Sequence, residues 1–229
     1  MSLKLYYDLL SQPSRALYIF LKVSNIPFES KKINLGKMEQ HNADYQKIHP
    51  FKKVPAITHN GFNIIESIAI FRYICREFNV DDHWYPKDSK AQAKVDEYLE
   101  WQHLNTRLFC ASYFLQQYLT PMLTGEPAKP EKIMPYKERL NDNLDLLENV
   151  WLQNTPFLVG SEISIADLVG SCEVEQVRVG GYDPWEGRPR LTAWMKRVSE
   201  ETSPHYQDAH VFLNKLVNKT KESTLKSKF

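Results

Sequence analysis

A chain of 229 residues is long enough to bury a hydrophobic core and to form one domain or two. Its composition is that of an ordinary globular protein, with 42% hydrophobic and 25% charged residues, and a net charge of +1 gives no overall argument for binding nucleic acid or an anionic membrane. Three widely spaced cysteines, Cys75, Cys110 and Cys172, argue against a disulfide framework, a zinc site or a dithiol redox centre.

The amino terminus and the hydropathy pattern predict no export or membrane segment. Met1 is followed at once by a strand pattern, which indicates no signal peptide, and no apolar run approaches the roughly 20 residues of a membrane helix. We therefore expect a soluble protein in a reducing, cytoplasmic setting, with neither nucleic acid nor membrane as a partner.

The first part of the chain alternates predicted strands and helices. Apolar residues alternate with polar ones over residues 3–8, which indicates a strand. Pro13 stands in the first turn of a helix that ends near Asn25. A second strand is predicted over residues 28–35, and the polar segment 36–49 has room only for a short helix.

A hairpin and a helix complete this unit. Residues 54–57 read as a strand, and the Asn60-Gly61 pair that follows is typical of a type I′ turn, which needs positive φ at both central residues. A second strand over residues 62–64 leads into a helical pattern from Ser67 to Phe78. The order of elements predicts an α/β unit with a four-stranded mixed sheet.

The start of this hairpin offers a place for a small peptide. Pro55 removes one ladder donor, so the N–H and C=O of Val54 stay free to pair with a group outside the sheet. The N-terminus of the helix at Ser67, just after Glu66, offers unpaired N–H groups to a carboxylate. An ordinary hairpin followed by a capped helix explains these residues equally well.

Residues 79–88 break every periodicity, and we predict a domain boundary there. Beyond it the chain is predicted to be helical. Residues 89–119 hold no proline or glycine and are predicted to form one helix that ends at Pro121. Apolar residues follow a near-heptad spacing over 133–151, the pattern of a bundle helix.

The last third of the chain carries one clear helix start. Ser164 and Asp167 have the spacing of a capping box, which predicts a helix to about Val177. Two further helices are predicted at the end of the chain, over residues 191–201 and 206–219, and residues 221–229 are predicted to be a frayed basic tail.

These motifs together resemble the glutathione S-transferases. The resemblance covers the chain from Leu3 to the tail, and within the family the chain is most similar to the theta class. It rests on Lys53-Val-Pro-Ala56 with Glu66-Ser67, on Ile163-Ser-Ile-Ala-Asp167, on Asp8-Leu-Leu-Ser-Gln-Pro-Ser-Arg15, on Val95-Asp-Glu-Tyr-Leu-Glu-Trp-Gln-His103 and on Phe157-Leu-Val-Gly160. It implies an α+β protein of two domains, with a thioredoxin-like, glutathione-binding domain over 1–80 and an all-helical bundle that forms the electrophile site over 89–229.

The resemblance also implies a binding site for glutathione. In this family the Val-Pro bond is cis, and the backbone at Val54 would pair with the cysteinyl unit; Glu66 would hold the ammonium group and Ser67 the adjacent carboxylate. Lys53 would meet the glycyl carboxylate. The glutathione-binding residues implied in this way are Gln12, Gln40, His41, Lys53, Val54, Pro55, Glu66, Ser67, Asn105 and Arg107. The theta-class histidine falls on Gln40, with His41 one residue later, and which of the two makes the contact stays open.

Ser11 is the candidate for the chemistry. A hydroxyl at a helix N-terminus that donates to sulfur favours the thiolate, both by the hydrogen bond and by the helix dipole. The alternative is that Ser11 merely caps the helix; the resemblance favours the catalytic reading. Tyr7 alternates with Leu3 and Leu5 and is predicted to lie in the core, while Tyr6 lies on the opposite face.

The predicted function is transfer of glutathione to small hydrophobic electrophiles by a homodimer that needs no metal, and dehalogenation and hydroperoxide reduction stay open. Leu10, Leu35, Phe109 and Tyr113 are candidates for the electrophile pocket, although such positions are more often core. A non-catalytic module of the same fold is the alternative. A thiol reductase of the glutaredoxin type would need a cysteine near Ser11, which the sequence lacks.

Overall fold

The computed structural model describes residues 2–226, with side chains up to residue 222. The sheet has the spatial order β2-β1-β3-β4, in which β1 and β2 are parallel and the other neighbours are antiparallel. Its strands are β1 (Leu3–Tyr7), β2 (Glu29–Lys32), β3 (Ala56–His59) and β4 (Phe62–Ile65). The predicted four-stranded mixed sheet is therefore confirmed, with a second strand shorter than predicted.

The central strand shows why this segment becomes a sheet. Leu3, Leu5 and Tyr7 are buried while the residues between them are half-buried, as the period of a strand requires. In the hairpin, Asn60 and Gly61 have φ of 49° and 86°, which is the type I′ geometry that the Asn-Gly pair predicts.

Helices make up most of the remaining described chain, joined by short 3₁₀ and π turns. They are α1 (Gln12–Val23), α2 (Ala43–Gln46), α3 (Ser67–Glu77), α4 (Ser89–Trp101), α5 (Thr106–Phe114), α6 (Thr120–Thr124), α7 (Pro130–Leu146), α8 (Ile165–Gln176), α9 (Pro189–Glu201) and α10 (His205–Lys226). Within residues 89–226 the only extended pairing is a single bridge between Phe157 and Gly160.

The helix α1 joins the two halves of the molecule. Phe20 contacts Phe71 of α3, with 5.2 Å between ring centroids. The same helix packs against α8 and α10 of the helical region. Trp84, in the 3₁₀ turn Asp82–Trp84, is buried and lies 5.4 Å from the ring of Phe20. The N-terminus of α1 therefore lies where the sheet region meets the helical region.

The single helix predicted over residues 89–119 is wrong. The Asn105 side chain donates to the Trp101 carbonyl at 2.8 Å, while its backbone N–H donates to Gln102 instead, and its φ and ψ of −125° and −99° end the helical path. An asparagine side chain thus competes with the backbone for a helical carbonyl. After α5 the chain continues through the π turn Leu115–Leu119 into α6, where Pro121 stands in the first turn and does not end the helix.

The capping box at the start of α8 is confirmed. The Ser164 hydroxyl accepts from Ala166 N at 3.3 Å, and Asp167 accepts from Ser164 N at 2.8 Å. Asp167 is fully buried and also accepts from Leu158 N and from the Trp194 ring N–H, each at 2.8 Å. This carboxylate therefore holds the connector, α8 and α9 together.

The C-terminal helix is longer than predicted. α10 runs to Lys226, so residues 221–226 of the predicted frayed tail are helical, and residues 227–229 lie outside the described chain. Leu213 and Val217 are buried, and the Thr220 hydroxyl donates to the Val179 carbonyl at 2.9 Å. This packing against the rest of the helical region extends the helix beyond the point that its composition indicates. Among the helices of the described chain, none combines the length and apolar character that crossing a bilayer requires.

Candidate active site

Ser11 is the N-cap residue of α1, yet its hydroxyl makes no capping bond. Its backbone N–H donates to the Asp8 carbonyl, and its carbonyl accepts from Arg15 N, both at 3.0 Å. Pro13 stands in the first turn, where its missing N–H leaves no helical bond unmade. Within the described chain the Ser11 hydroxyl has no hydrogen-bond partner, so it is free to donate to another group.

The peptide bond between Val54 and Pro55 is cis, as the resemblance implies. Pro55 is buried, and the ladder of β3 begins one residue later at Ala56. Within residues 2–226 neither the N–H nor the C=O of Val54 pairs with another backbone group. The open backbone edge predicted at Val54 is therefore present.

The N-terminus of α3 lies beside this edge. Glu66 precedes the helix with φ of 66°, a left-handed conformation that is uncommon for a residue other than glycine. No side chain caps the helix, so the first-turn N–H groups have no capping partner in the described structure. Residues held in such backbone conformations cluster at functional sites.

These elements surround a polar cavity of about 170 Å³, here called the first cavity. It lies between the sheet region, the 3₁₀ turn Gln102–Leu104 that follows α4, and the helices α5 and α8. It is lined by Pro13, His49, Lys53, Val54, Pro55, Glu66, Ser67, Gln102, His103, Arg107, Val169 and Glu173. The cis proline, the left-handed Glu66 and the free helix end thus open into one space.

Two further cavities follow one another along the β1–α1 loop. The second cavity, of about 260 Å³, is lined by Leu10, Ser11, Gln12, Leu35, Lys52, Lys53, Val54, Arg107, Ala111, Phe114, Leu115 and Leu119. The third cavity, of about 630 Å³, is lined mainly by apolar and aromatic atoms and shares Leu10 with the second. Lys53, Val54 and Arg107 line both the first and the second cavity, so the two cavities adjoin at these residues.

Arg107 and Glu173 form an ion pair at that junction. Arg107 Nη1 lies 2.5 Å from Glu173 Oε1, and the second carboxylate oxygen is buried without a partner in the described structure. Burial raises the pKa of Glu173, against the opposite effect of the Arg107 charge, while Glu173 raises the pKa of Arg107. The Glu173 side chain is almost completely buried, whereas that of Arg107 keeps 38% of its surface exposed, so the guanidinium reaches from the interior into the cavities.

The comparison with known proteins decides the family. The model of the glutathione S-transferase N-terminal domain matches residues 1–76, and that of the C-terminal domain matches residues 107–201. Rat glutathione S-transferase theta-1 is 44% identical over 198 residues, which are 86% of this chain and 82% of the rat protein. The chain belongs to the glutathione S-transferase family.

Solved structures agree with this assignment and with the theta class that the motifs predicted. The apo form of human glutathione S-transferase T1-1 superimposes with a TM-score of 0.90 at 40% identity, covering 94% of this chain and 91% of the human one. A human theta-class enzyme solved with the glutathione conjugate of 1-menaphthyl sulfate gives a TM-score of 0.91 at 35% identity, covering 98% and 92% of the two chains.

The transferase fold brings most of the predicted site residues together. Of the implied glutathione-binding residues, those that line the first or the second cavity are Gln12, Lys53, Val54, Pro55, Glu66, Ser67 and Arg107. Leu10 and Leu35, two of the predicted pocket residues, line the second cavity with Ser11.

Five predicted residues lie elsewhere. Gln40 and His41 lie in the 3₁₀ turn after β2 and line none of the three cavities; the His41 carbonyl accepts from the Gln46 side chain. Asn105 binds the Trp101 carbonyl as described above. Phe109 packs against the main core cluster, and the Tyr113 hydroxyl donates to the Gly180 carbonyl at 3.0 Å, so neither faces Ser11.

The two tyrosines of β1 are occupied away from the candidate site. The Tyr7 hydroxyl lies 2.9 Å from the Ser30 hydroxyl, and its side chain is buried as predicted, next to the ring of Tyr18. Tyr6 lies on the other face, against the ring of Tyr45 at 5.8 Å. Neither tyrosine lines the first or the second cavity, whereas Tyr7 lines the third.

Sequence reasoning missed several cavity residues, and one group of them carried a signal. Ala111, Leu115 and Leu119 follow Arg107 at intervals of four residues, the spacing that places side chains on one face of a helix. Glu173 carried a weaker signal, as one of three acidic residues in the short helix α8. Gln102 and His103 close the motif that begins at Val95, but neither they nor His49 carried a sign of a place in the first cavity, because only the tertiary fold brings them there.

Proposed function

We propose that this transferase binds glutathione across the first and second cavities and joins its thiolate to small hydrophobic electrophiles, with Ser11 stabilising the thiolate. The observation that carries the proposal is the Ser11 hydroxyl, which begins a helix without capping it and opens into the second cavity beside Val54. In a serine that caps a helix, the hydroxyl accepts a hydrogen bond from a backbone N–H of the first turn.

The proposed transfer needs the glutathione thiol in its ionised form at neutral pH. A free thiol has a pKa near about 8.5, so only a few per cent is ionised at pH 7. A hydroxyl that donates to sulfur, at the positive end of α1, favours the ionised form. The thiol proton leaves to solvent; the sulfur then forms a bond to the electrophilic carbon, and the leaving group departs with its electron pair. Ser11 acts only as a hydrogen-bond donor.

The first cavity suits the peptide portion of glutathione. Val54 offers a free N–H and C=O to the cysteinyl unit, as one strand offers them to another. The free N–H groups at the start of α3 suit the γ-glutamyl carboxylate, with the Ser67 hydroxyl beside them, and the Glu66 carboxylate suits the ammonium. Recognition of this end therefore rests on a helix terminus and one carboxylate.

The glycyl end would lie towards Lys53. The exposed Lys53 side chain lines both cavities and supplies a positive charge for a carboxylate. Gln40 and His41 remain the other candidates for this contact, and both lie in the turn after β2 that would have to approach the ligand.

The electrophile would bind in the second cavity and extend towards the third. Leu10, Leu35, Ala111 and Leu115 give apolar walls next to Ser11, and Arg107 gives a positive charge at the edge. An apolar electrophile with an anionic leaving group matches this combination. The human theta-class structure with the glutathione conjugate of 1-menaphthyl sulfate supports that choice of substrate class.

We further propose a cytoplasmic homodimer. Phe51, Leu104, Leu108 and Val150 are large apolar side chains with exposed surfaces, and a second copy of the chain would cover such surfaces. The three cysteines are free, as a reducing compartment allows. Analytical ultracentrifugation should give a dimer at micromolar concentration, and a monomer there would contradict the proposal.

Calorimetry and an activity assay test the proposed function together. The protein should bind glutathione and release the leaving group from 1-menaphthyl sulfate when glutathione is present. Glu66→Ala should weaken glutathione binding by about ten- to a hundredfold, because it removes the charged partner of the ammonium. Glu77→Ala, at an exposed position near the end of the same helix, is the matched control. Unchanged affinity in a folded Glu66→Ala variant would reject this placement.

A further inference from the structure

Arg15, the residue that closes the motif around the catalytic serine, is completely buried although its guanidinium is always charged. Its Nη1 donates to the carbonyls of Leu9 and Leu10 at 2.9 and 3.1 Å. Its Nη2 donates to the Cys172 carbonyl at 3.0 Å and to the Gln176 Oε1 at 2.7 Å. One side chain therefore joins the β1–α1 loop to α8.

All four of these acceptors are uncharged. Among the ion pairs of residues 2–226 none includes Arg15. Burying a charge without an ionic partner costs free energy, and an apolar side chain of similar size commonly packs as well or better. The fold alone therefore gives little reason for a cation at this position.

None of the surrounding titratable groups in the described part of the chain forms an ion pair with Arg15. Those that lie around Arg15 on the packed elements are Asp8 in the loop, Cys172, Glu173 and Glu175 on α8, and Tyr206 and His210 on α10. Burial raises the pKa of Cys172 to about 12 and lifts that of Tyr206 well above its usual value, while it lowers that of His210, so all three are neutral at pH 7.

The three carboxylates in this set have other partners. Asp8 accepts from the backbone N–H groups of Leu10 and Leu35 at 2.8 and 2.9 Å. Glu173 pairs with Arg107, and Glu175 pairs with Arg178. The positive charge of Arg15 thus remains without a partner of its own, in an environment where water does not screen it.

Arg15 follows Ser11 by one helical turn, and its guanidinium contacts the loop that leads to Ser11. The backbone N–H of Arg15 donates to the Ser11 carbonyl at 3.0 Å. The Arg15 guanidinium donates to the carbonyls of the two residues that precede Ser11. Leu10, one of those two residues, also lines the second cavity. The same side chain therefore fixes the path of the loop and places a positive charge behind the serine.

We propose that Arg15 is a positioning residue for Ser11 and that its unpaired charge favours the thiolate held at the Ser11 hydroxyl. The inference rests on the proposed function, since it needs a thiol at Ser11. It assigns the buried arginine an electrostatic part in the reaction although Arg15 touches neither substrate.

The sharpest test neutralises the charge without removing a hydrogen bond. Gln176 accepts from Arg15 through Oε1, while its Nε2 is buried and has no partner in the described structure. Gln176→Glu therefore keeps the acceptor, gives up no bond, and puts a negative charge against the guanidinium. We expect the apparent pKa of the bound glutathione thiol to rise by about 1, because a nearby opposite charge shifts a pKa by this order.

The readout is the pH dependence of thiolate absorbance in the complex with glutathione, which needs no turnover. Gln153→Glu adds the same charge at an exposed position and should leave the thiol pKa unchanged. Ser11→Ala is measured beside them. A raised thiol pKa in Ser11→Ala with none in a folded Gln176→Glu would overturn the inference and leave the proposed function standing; no rise in Ser11→Ala would reject the proposed role of Ser11.

A second pair of variants covers the case in which Gln176→Glu does not fold. Arg15→Lys keeps the charge but donates to fewer of the four oxygens, so kcat should fall about tenfold. The KM for glutathione should stay within about twofold of the wild-type value, and the thiol pKa within about 0.3. Arg15→Gln removes the charge and should raise the thiol pKa. Equal thiol pKa values in the two variants would overturn the electrostatic role, and an unchanged kcat in Arg15→Lys would overturn the positioning role.

Discussion

At the scale of single residues, the candidate chemistry depends on a hydroxyl that the fold leaves unused. Ser11 and Ser14 both lie at the start of α1, but Ser14 is completely buried while Ser11 opens into the second cavity. Tyr7, which could serve the same purpose from the end of β1, is engaged with Ser30. The environment of each hydroxyl, more than its chemistry, separates the three.

Ser11→Ala should lower kcat about ten- to a hundredfold and raise the apparent pKa in the pH–rate profile. One hydrogen bond to a charged group contributes roughly 1.5–3 kcal/mol, and its loss from the thiolate-like state changes the rate by that factor. The matched control is Ser14→Ala, whose buried hydroxyl has no partner in the described structure. Tyr7→Phe should likewise leave the rate and the pKa near wild type. If Tyr7→Phe instead lowered kcat strongly while Ser11→Ala left it unchanged, the tyrosine and not the serine would stabilise the thiolate.

At the scale of secondary structure, two local devices position the site. The break at Asn105 separates α4 from α5 and starts a new helix at Thr106, one residue before Arg107, which then lines both cavities. The capping box of α8 fixes the helix that carries Glu173, the partner of Arg107. The ion pair at the cavity junction thus depends on where two helices begin.

Asp167→Ala should destabilise the protein by about 3–5 kcal/mol. The variant would leave the buried N–H groups of Leu158, Ser164 and the Trp194 ring without their acceptor, and each unsatisfied buried donor costs about 1–3 kcal/mol. Chemical denaturation measures the change. Asp142→Ala, at an exposed position on α7, should lie within about 0.5 kcal/mol of wild type. If Asp167→Ala lowered the free energy of unfolding by less than about 1 kcal/mol, the capping box would contribute little to stability.

At the scale of the whole molecule, the sheet region and the helical region share the packing around α1. Arg72 of α3 binds Asp96 and Glu100 of α4, at 2.6 and 3.0 Å, so the contact between them has a polar edge as well. We propose that the division falls within residues 79–88, as the sequence predicts, although the buried Trp84 ties this segment to α1.

A short insertion tests the boundary. Five Gly/Ser residues placed after the exposed Lys87 leave the Asp88 cap of α4 intact, and lengthening a loop costs only about 0.6 kcal/mol per doubling. We expect Tm to fall by a few degrees. The same insertion after Tyr73, inside α3, should prevent folding. If the two insertions were equally damaging, the boundary would lie elsewhere.

His210 should make the stability of the molecule depend on pH. Burial holds the pKa of His210 well below its usual value of about 6.5, its Nε2 is buried without a partner in the described structure, and its ring stacks on Tyr206. The unfolded chain then binds the proton more readily than the folded one. The stabilisation is complete above about pH 6.5 and is lost as the pH falls below that value, by up to about 1.4 kcal/mol per pH unit.

The measurement is the free energy of unfolding between pH 7.5 and pH 5. His210→Phe keeps the stacked ring and removes the titration, so its stability should fall less steeply over this range. Identical slopes for the two proteins would assign the acid sensitivity to other groups, among which His49 also has a pKa lowered by burial.

Local patterns in the sequence were sufficient to predict those elements that are determined by contacts between neighbouring residues. The alternation of Leu3 and Leu5, the Asn60-Gly61 turn and the capping box at Ser164 each act within a few residues, and the structure confirms all three. The motifs around Ser11 and Glu66 were enough to predict the family.

The tertiary structure decided what depends on long-range contacts. Composition gave no sign that Asn105 would take the Trp101 carbonyl, and α10 extends beyond its predicted end where it packs against residues near Val179. The pairing of Arg107 with Glu173 links residues 66 positions apart, and that of Arg15 with Gln176 links residues 161 positions apart. A sequence specifies its own turns and caps through neighbouring atoms, but which buried polar side chains meet is set only when distant helices pack together.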